Sequence, residues 1–356
     1  MTSIRLPLSF ILITLIAQFA LAQEQDKALW DKDTAQKEID GMRRYSWAIS
    51  EVIAKKLQES PAEDYPGIHS FLRDLDTARK AIDPQQPPSD WKPFDLESLA
   101  IRNPHYWAAV YEVEPAAPLM MWLHTTLHAM NGEIFPTFHS QMLALRTPVA
   151  MPQKQEMFRL IASSGKLIQY GQQGVQAGVR SYDAKDYDQA AKIFRDVLSV
   201  IPSHSPALYE LGFTLRTIDR GAAGSAAAQR QFLLARQFNP FMLETYQGSF
   251  NREEIKRLSA LQTQAKPGWD KLLSSPTDQD KPEDLENLST QLQAAGLHEF
   301  GLIVRQLAVA HRGKTYQAKD RQFITASLQK LLPKESLEKV VPPENKKRTP
   351  LPLSNF

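Results

Sequence analysis

Two stretches of this chain carry the same order of small and large residues at the same intervals, and no other feature limits the fold as much. Ala190, Phe194 and Pro202 recur as Ala228, Phe232 and Pro240, and the leading glycines Gly178 and Gly212 stand 34 residues apart. A period of that length points to helical hairpins stacked on one another. The glycine on the first helix and the alanine on the second mark the place where two backbones approach. The phenylalanine fills the gap beside that contact. The proline ends the second helix because it has no N–H to donate. In the first unit, Ala190, Ile193, Phe194, Val197, Leu198 and Ile201 form one continuous apolar helix face.

At these residues the chain resembles the tetratricopeptide repeat family. The segment Ala184-Lys185-Asp186-Tyr187-Asp188-Gln189-Ala190-Ala191 is similar to that family's turn and second-helix start. The repeat region is placed at 156–250, with units at about 171–204 and 205–242. The second unit needs four extra residues around Arg220-Gly221-Ala222-Ala223-Gly224, which predicts a longer turn. Gly174 stands where the family often has tryptophan.

The resemblance implies a concave groove lined by the first helix of each unit. Its positions would be Gln172, Val175, Val179, Tyr182 and Asp183, then Tyr209, Phe213, Arg216 and Thr217. The set lacks the Lys and Asn pattern that clamps a C-terminal carboxylate in some members of the family. It implies instead a mixed aromatic and apolar surface for an amphipathic helix or an extended segment of a protein partner. Tyr209 and Phe213 would equally serve to pack against additional helices. Two repeats bury their apolar faces only against neighbours, so flanking helices must complete the array.

The rest of the sequence also reads as helical, and the expected class is all-α: a hairpin array of α-solenoid type with flanking helices. No run of alternating β-branched residues stands out, and Asn131-Gly132 follows a helical pattern, where it reads as a helix stop. An N-terminal helical segment is expected over 23–82, with Ile39, Met42, Ala48, Ile49, Val52, Ile53 and Leu57 on one helix face. Ile68, Phe71, Leu72, Leu75 and Ala78 mark its partner helix. A proline-rich linker follows at 83–95 and an aromatic, histidine-containing block at 96–152, where Asn103-Pro104 has the form of a helix start. Pro267-Gly268 and the polar stretch from Ser274 to Glu283 read as a linker. Residues 275–335 carry further helices, marked by Leu285, Leu288 and Leu292, then by Phe300, Ile303, Val304 and Leu307, then by Ile324, Leu328, Leu331 and Leu332. Gly296 turns the first of these back onto the second, in the manner of a degenerate repeat. A disordered tail is expected over 340–356.

The first residues read as a secretory signal, with an uncleaved membrane anchor as the alternative. Arg5 precedes an apolar stretch from Leu6 to Leu21, short for a bilayer span, and Ala20-Leu21-Ala22 offers the small-x-small cleavage pattern, with cleavage after Ala22. The expected location is therefore periplasmic or secreted, with membrane contact only during export. A formal net charge of +2 gives no global attraction to nucleic acid, so no such partner is expected. The chain has no cysteine, which excludes disulfides, thiolate metal sites and a cysteine nucleophile.

No phosphate loop, dinucleotide fingerprint or nucleophile elbow occurs, and no cofactor is expected. The sharpest enzymatic hint is His124 and His128, one helical turn apart, with His105 and His139 in the same block. This set could serve a metal-dependent hydrolase, with a base drawn from Glu112, Glu114 or Glu133. Thr125 follows the first histidine, however, where a zinc protease helix has glutamate. The alternative is that these histidines edge an apolar helix and hydrogen-bond locally. A purely structural envelope protein with no specific ligand is a further reading. The main expectation is an adaptor or assembly scaffold that binds another protein.

Overall fold

The computed structural model describes residues 31–80, 103–113, 115, 117–147, 154–242, 252–337 and 340. The signal segment, the linker at 83–95 and the tail beyond 340 lie outside the described residues. The described chain is all-helical, with no strand, and none of its helices is long and apolar enough to cross a membrane. The helices are α1 (Lys32–Gln58), α2 (Pro66–Lys80), α3 (Pro104–Glu112), α4 (Pro118–Met130), α5 (Ile134–Ala144), α6 (Lys154–Asp183), α7 (Tyr187–Val200), α8 (Ser205–Ile218) and α9 (Ala222–Phe238). They continue as α10 (Arg252–Ala260), α11 (Lys266–Ser274), α12 (Pro282–Ala294), α13 (His298–Arg312), α14 (Ala318–Leu331) and the single turn α15 (Lys334–Leu337). The chain divides into two compact units, one made of residues up to 39, 133–135 and 162–280, the other of 40–132, 136–161 and 281 onward.

In the first unit, α7 packs on α8 and α8 on α9. The core joins Val175, Ala190, Ala191, Phe194, Val197, Ala207 and Leu211. Gly178 is where α6 meets this core: a methyl group there would lie 2.6 Å from Cζ and 2.8 Å from Cδ1 of Phe194. Gly212 repeats the arrangement, with a methyl group falling 2.9 Å from the Phe232 ring and 3.0 Å from the Ala228 carbonyl oxygen. Each glycine thus admits the ring four residues beyond a buried alanine, Ala190 or Ala228. The turn after α6 closes with Lys185 in the left-handed region (φ 64), its N–H on Tyr182 O and the Asp186 N–H on Ser181 O. The Asp186 carboxylate then caps α7 by accepting from the Gln189 N–H at 3.1 Å.

The extra residues of the second hairpin do not lengthen its turn. Asp219 to Gly221 join α8 to α9, as Ala184 to Asp186 join α6 to α7. Three of the four additional residues extend α9 to 17 residues against 14 for α7, and the fourth extends α8, which runs one residue further past Gly212 than α6 does past Gly178. Ala222, Ala223 and the alanines after Ser225 are strong helix formers, so the insertion is absorbed as helix. Ser205 Oγ donates to the Ala235 carbonyl at 2.9 Å, tying the start of α8 to the end of α9.

Pro267-Gly268 is not part of a linker. The helical path runs from Arg252 to Ser274 through a π-turn at Leu261–Ala265, and the Lys266 N–H bonds to Leu261 O. Proline lacks the N–H that would extend the ordinary ladder, and the wider turn just before it accommodates that loss. Trp269 on α11 stacks on Phe241 at 4.3 Å, and both are buried.

In the second unit, α2 packs on α3. Glu112 at the end of α3 accepts the Gly67 and Ile68 N–H groups at 2.7 and 2.8 Å, a carboxylate at the positive end of α2. The buried stripe of α1 differs from the apolar pattern: Ala48 and Val52 face outward, while Ser46 and Ser50 are buried. Their hydroxyls donate to the Met42 and Trp47 carbonyls at 2.8 Å, so small polar residues can occupy inward positions. α12 and α13 pair across Gly296 (φ 79) and α14 packs on α13. Leu285, Leu288, Leu292, Ile303, Val304, Leu307, Ile324, Leu328 and Leu332 are buried as their spacing predicts.

Candidate functional site

The two candidate sites lie in different units. The first is the face formed by α6 and α8. Tyr182, Tyr209, Phe213 and Arg216 are all half-buried, and they meet. The Tyr182 ring lies 5.8 Å from Phe213, and Tyr209 lies 6.4 Å from Phe213. The Tyr182 and Thr217 hydroxyls are 2.9 Å apart. The Arg216 guanidinium sits over Phe213 at 5.0 Å and Phe232 at 5.7 Å. It has no carboxylate partner among the described residues. Val179 is half-buried and Gln172 exposed. Val175 faces inward instead, 5% exposed in the core cluster, because its position on α6 turns toward Ala190 and Phe194. Tyr209 also packs at 5.5 Å on Phe232, so part of its surface serves the hairpin itself. Next to this face, burial and then the charge of Asp183 push Glu210 above the usual carboxylate range.

The second candidate is built on α4, which is buried along its whole length. An apolar helix with Pro118 in its first turn carries His124 and His128 one turn apart on the same side. Opposite them stands Glu299, the second residue of α13. His124 Nε2 lies 2.8 Å from Glu299 Oε1, His128 Nε2 lies 3.5 Å from it, and the two Nε2 atoms are 3.2 Å apart. These three groups are the one histidine and carboxylate cluster of metal-ligating geometry among the described residues, with ligand atoms within 4.8 Å of one another. The histidine side chains are 3% and 5% exposed and Glu299 16%, so the glutamate is the least buried of the three.

Tyr106 on α3 completes the surroundings. Its hydroxyl is 3.0 Å from His124 Nδ1, and the two rings stack at 5.6 Å. Burial, with the Glu299 charge added, raises the Tyr106 phenol well above its ordinary value, so it stays protonated. Burial alone would raise Glu299. Hydrogen bonds and positive charge from His124 and His128 outweigh it and hold the carboxyl at about 2.

The four-histidine block does not converge as a whole. His105 Nδ1 is bound to Asp74 at 2.9 Å, and His139 rests against the Phe300 ring at 5.8 Å. Nor does the carboxylate come from the expected residues. Glu112 caps α2, Glu114 lies outside the described residues and Glu133 is not in the triangle. Glu299 is 171 residues beyond His128 in the chain, and no local spacing marks it. The available signal was the pair of histidines itself, since an apolar helix that buries two imidazoles calls for a counter-charge.

Among models of known protein families none matches this chain, and no curated protein matches it.

Proposed function

We propose that this chain is an exported adaptor or assembly scaffold that captures a segment of a protein partner on the α6–α8 face. The observation that supports this most directly is the half-exposed cluster of Tyr182, Tyr209, Phe213 and Arg216, held on two successive hairpins by the repeated glycine and phenylalanine contact. Aromatic residues and arginine are the side chains that carry most binding energy in protein interfaces. Arg216 already sits over two rings, and its charge can meet a carboxylate or carbonyl of an incoming segment. The repeated contact also supports the tetratricopeptide-type reading of residues 171–242, with the α12–α13 hairpin as a degenerate member. The signal-like first residues support a periplasmic or secreted location.

The test is capture under mild crosslinking by the purified chain and by Arg216→Glu and Phe213→Asp variants whose circular dichroism matches the parent. The reading requires a partner that the parent retains and both variants lose. Equal capture by all three refutes it.

A second reading, a metal-dependent hydrolase, rests on His124 and His128 and now on Glu299 in place of the anticipated carboxylates.

A further inference from the structure

Independently of the adaptor reading, we infer that His124 Nε2, His128 Nε2 and a Glu299 carboxylate oxygen form a binding site for one zinc-type divalent cation, with a fourth coordination position left open. The triangle of ligand atoms has the dimensions of a zinc site. Zinc bonds to imidazole nitrogen at about 2.0–2.1 Å and to carboxylate oxygen at about 2.0–2.2 Å, so the edges of a tetrahedral ligand set are about 3.3 Å. The three edges here are 2.8, 3.2 and 3.5 Å. The triangle thus has the size of one face of a zinc coordination tetrahedron without any movement of α4 or α13.

Proton counting is compatible with this. Each imidazole Nε2 presents either one N–H or one lone pair, and the carboxylate oxygen presents only lone pairs. With both Nε2 atoms protonated, both histidines donate to Glu299. With both protons on Nδ1, three lone-pair atoms stand 2.8, 3.2 and 3.5 Å apart, the set a divalent cation binds, and its uptake displaces the Nε2 protons.

Tyr106 supports His124 from behind. A metal-bound His124 must carry its proton on Nδ1, and that N–H then donates to Tyr106 Oη at 3.0 Å. Metal-ligating histidines are oriented by such a partner. Two histidines and a carboxylate, nitrogen and oxygen ligands without sulfur, suit zinc better than a soft or a purely oxygen-seeking ion.

The experiment uses the full purified chain, stripped with chelator and titrated with Zn(II), with Co(II) as the spectroscopic probe. One equivalent of Zn(II) is expected to bind and raise the melting temperature. Co(II) should give the visible absorption of a tetrahedral N/O site. His128→Ala and Glu299→Gln should each weaken Zn(II) binding by more than about 100-fold, and Tyr106→Phe, a positioning change, by about 10–100-fold. His105→Ala should bind as the parent does. The parent itself guards against variants that fail to fold: no saturable uptake by the parent overturns the site. Uptake that survives both His128→Ala and Glu299→Gln overturns it equally.

Discussion

Replacing Gly178 with alanine measures how much of the first unit depends on backbone contact at the repeated glycine. On an open helix surface, Gly→Ala stabilises by about 1 kcal/mol, because glycine has more chain entropy to lose. At Gly178 the new methyl group would stand 2.6 and 2.8 Å from two Phe194 ring carbons, where carbon contacts need about 3.5–4.0 Å. The ring or the helix must yield by about 1 Å. Phe194 is 0% exposed among Ala190, Ala191, Val197 and Val175, so the ring has nowhere to turn. Overpacking of this kind costs about 1–3 kcal/mol, and the upper end applies; less the helix gain, the net loss is about 2 kcal/mol. Gly41 on α1 is the control, since its methyl would meet only the Tyr45 side chain at 3.7 Å. Gly41→Ala should therefore stabilise by about 0.5–1 kcal/mol. The assay is urea unfolding followed by circular dichroism, with hydrogen exchange to localise the change to α6 and α7. Phe194→Leu should cost less in the Gly178→Ala background than in the parent, as expected for residues in contact. A Gly178→Ala variant as stable as Gly41→Ala would refute the close-approach argument.

Two further outcomes follow from local features of the first unit. Burial holds His204 at about 4, below its ordinary 6.5, with a smaller opposing contribution from the Ile168 backbone. The unfolded chain therefore binds the extra proton between those values. The stability this histidine confers is complete above pH 6.5 and falls as pH drops toward 4, by up to about 3 kcal/mol. His204→Asn, which keeps an N-cap acceptor for Ala207, should flatten that part of the pH–stability curve; an unchanged slope in urea titrations would count against it. Lys185 holds a left-handed conformation at φ 64, which favours glycine, so Lys185→Gly should raise the unfolding free energy by about 1 kcal/mol, and a loss of stability would contradict the turn geometry.

The helices were readable where the apolar spacing was regular, as along α7 and from α12 to α14. The nested glycines were readable because Gly178 and Gly212 recur with an alanine and a phenylalanine in fixed order. Three features were not, each for a physical reason. Ser46 and Ser50 are inward-facing on α1, and their hydroxyls are satisfied by the helix's own carbonyls, which no hydropathy pattern registers. The path through Pro267 depends on a π-turn that absorbs the missing N–H. Glu299 joins His124 and His128 only because the first turn of α13 brings its carboxylate to α4, a contact too distant in sequence for spacing to reveal. Of the aromatic face, Tyr182, Phe213 and Arg216 come together, while Val175 turns inward because it shares its helix side with Gly178's neighbours in the core.

The burial of α4 on every side has a consequence for how the chain is made. A helix of this kind has no wet face, and its two imidazoles wait for a carboxylate 171 residues downstream of His128. At a synthesis rate of roughly 5–20 residues per second, that interval is roughly ten to thirty seconds. Throughout it, His124 and His128 lack the carboxylate that Glu299 later provides. The buried pair of imidazoles is therefore completed only when the last sixth of the chain has been made.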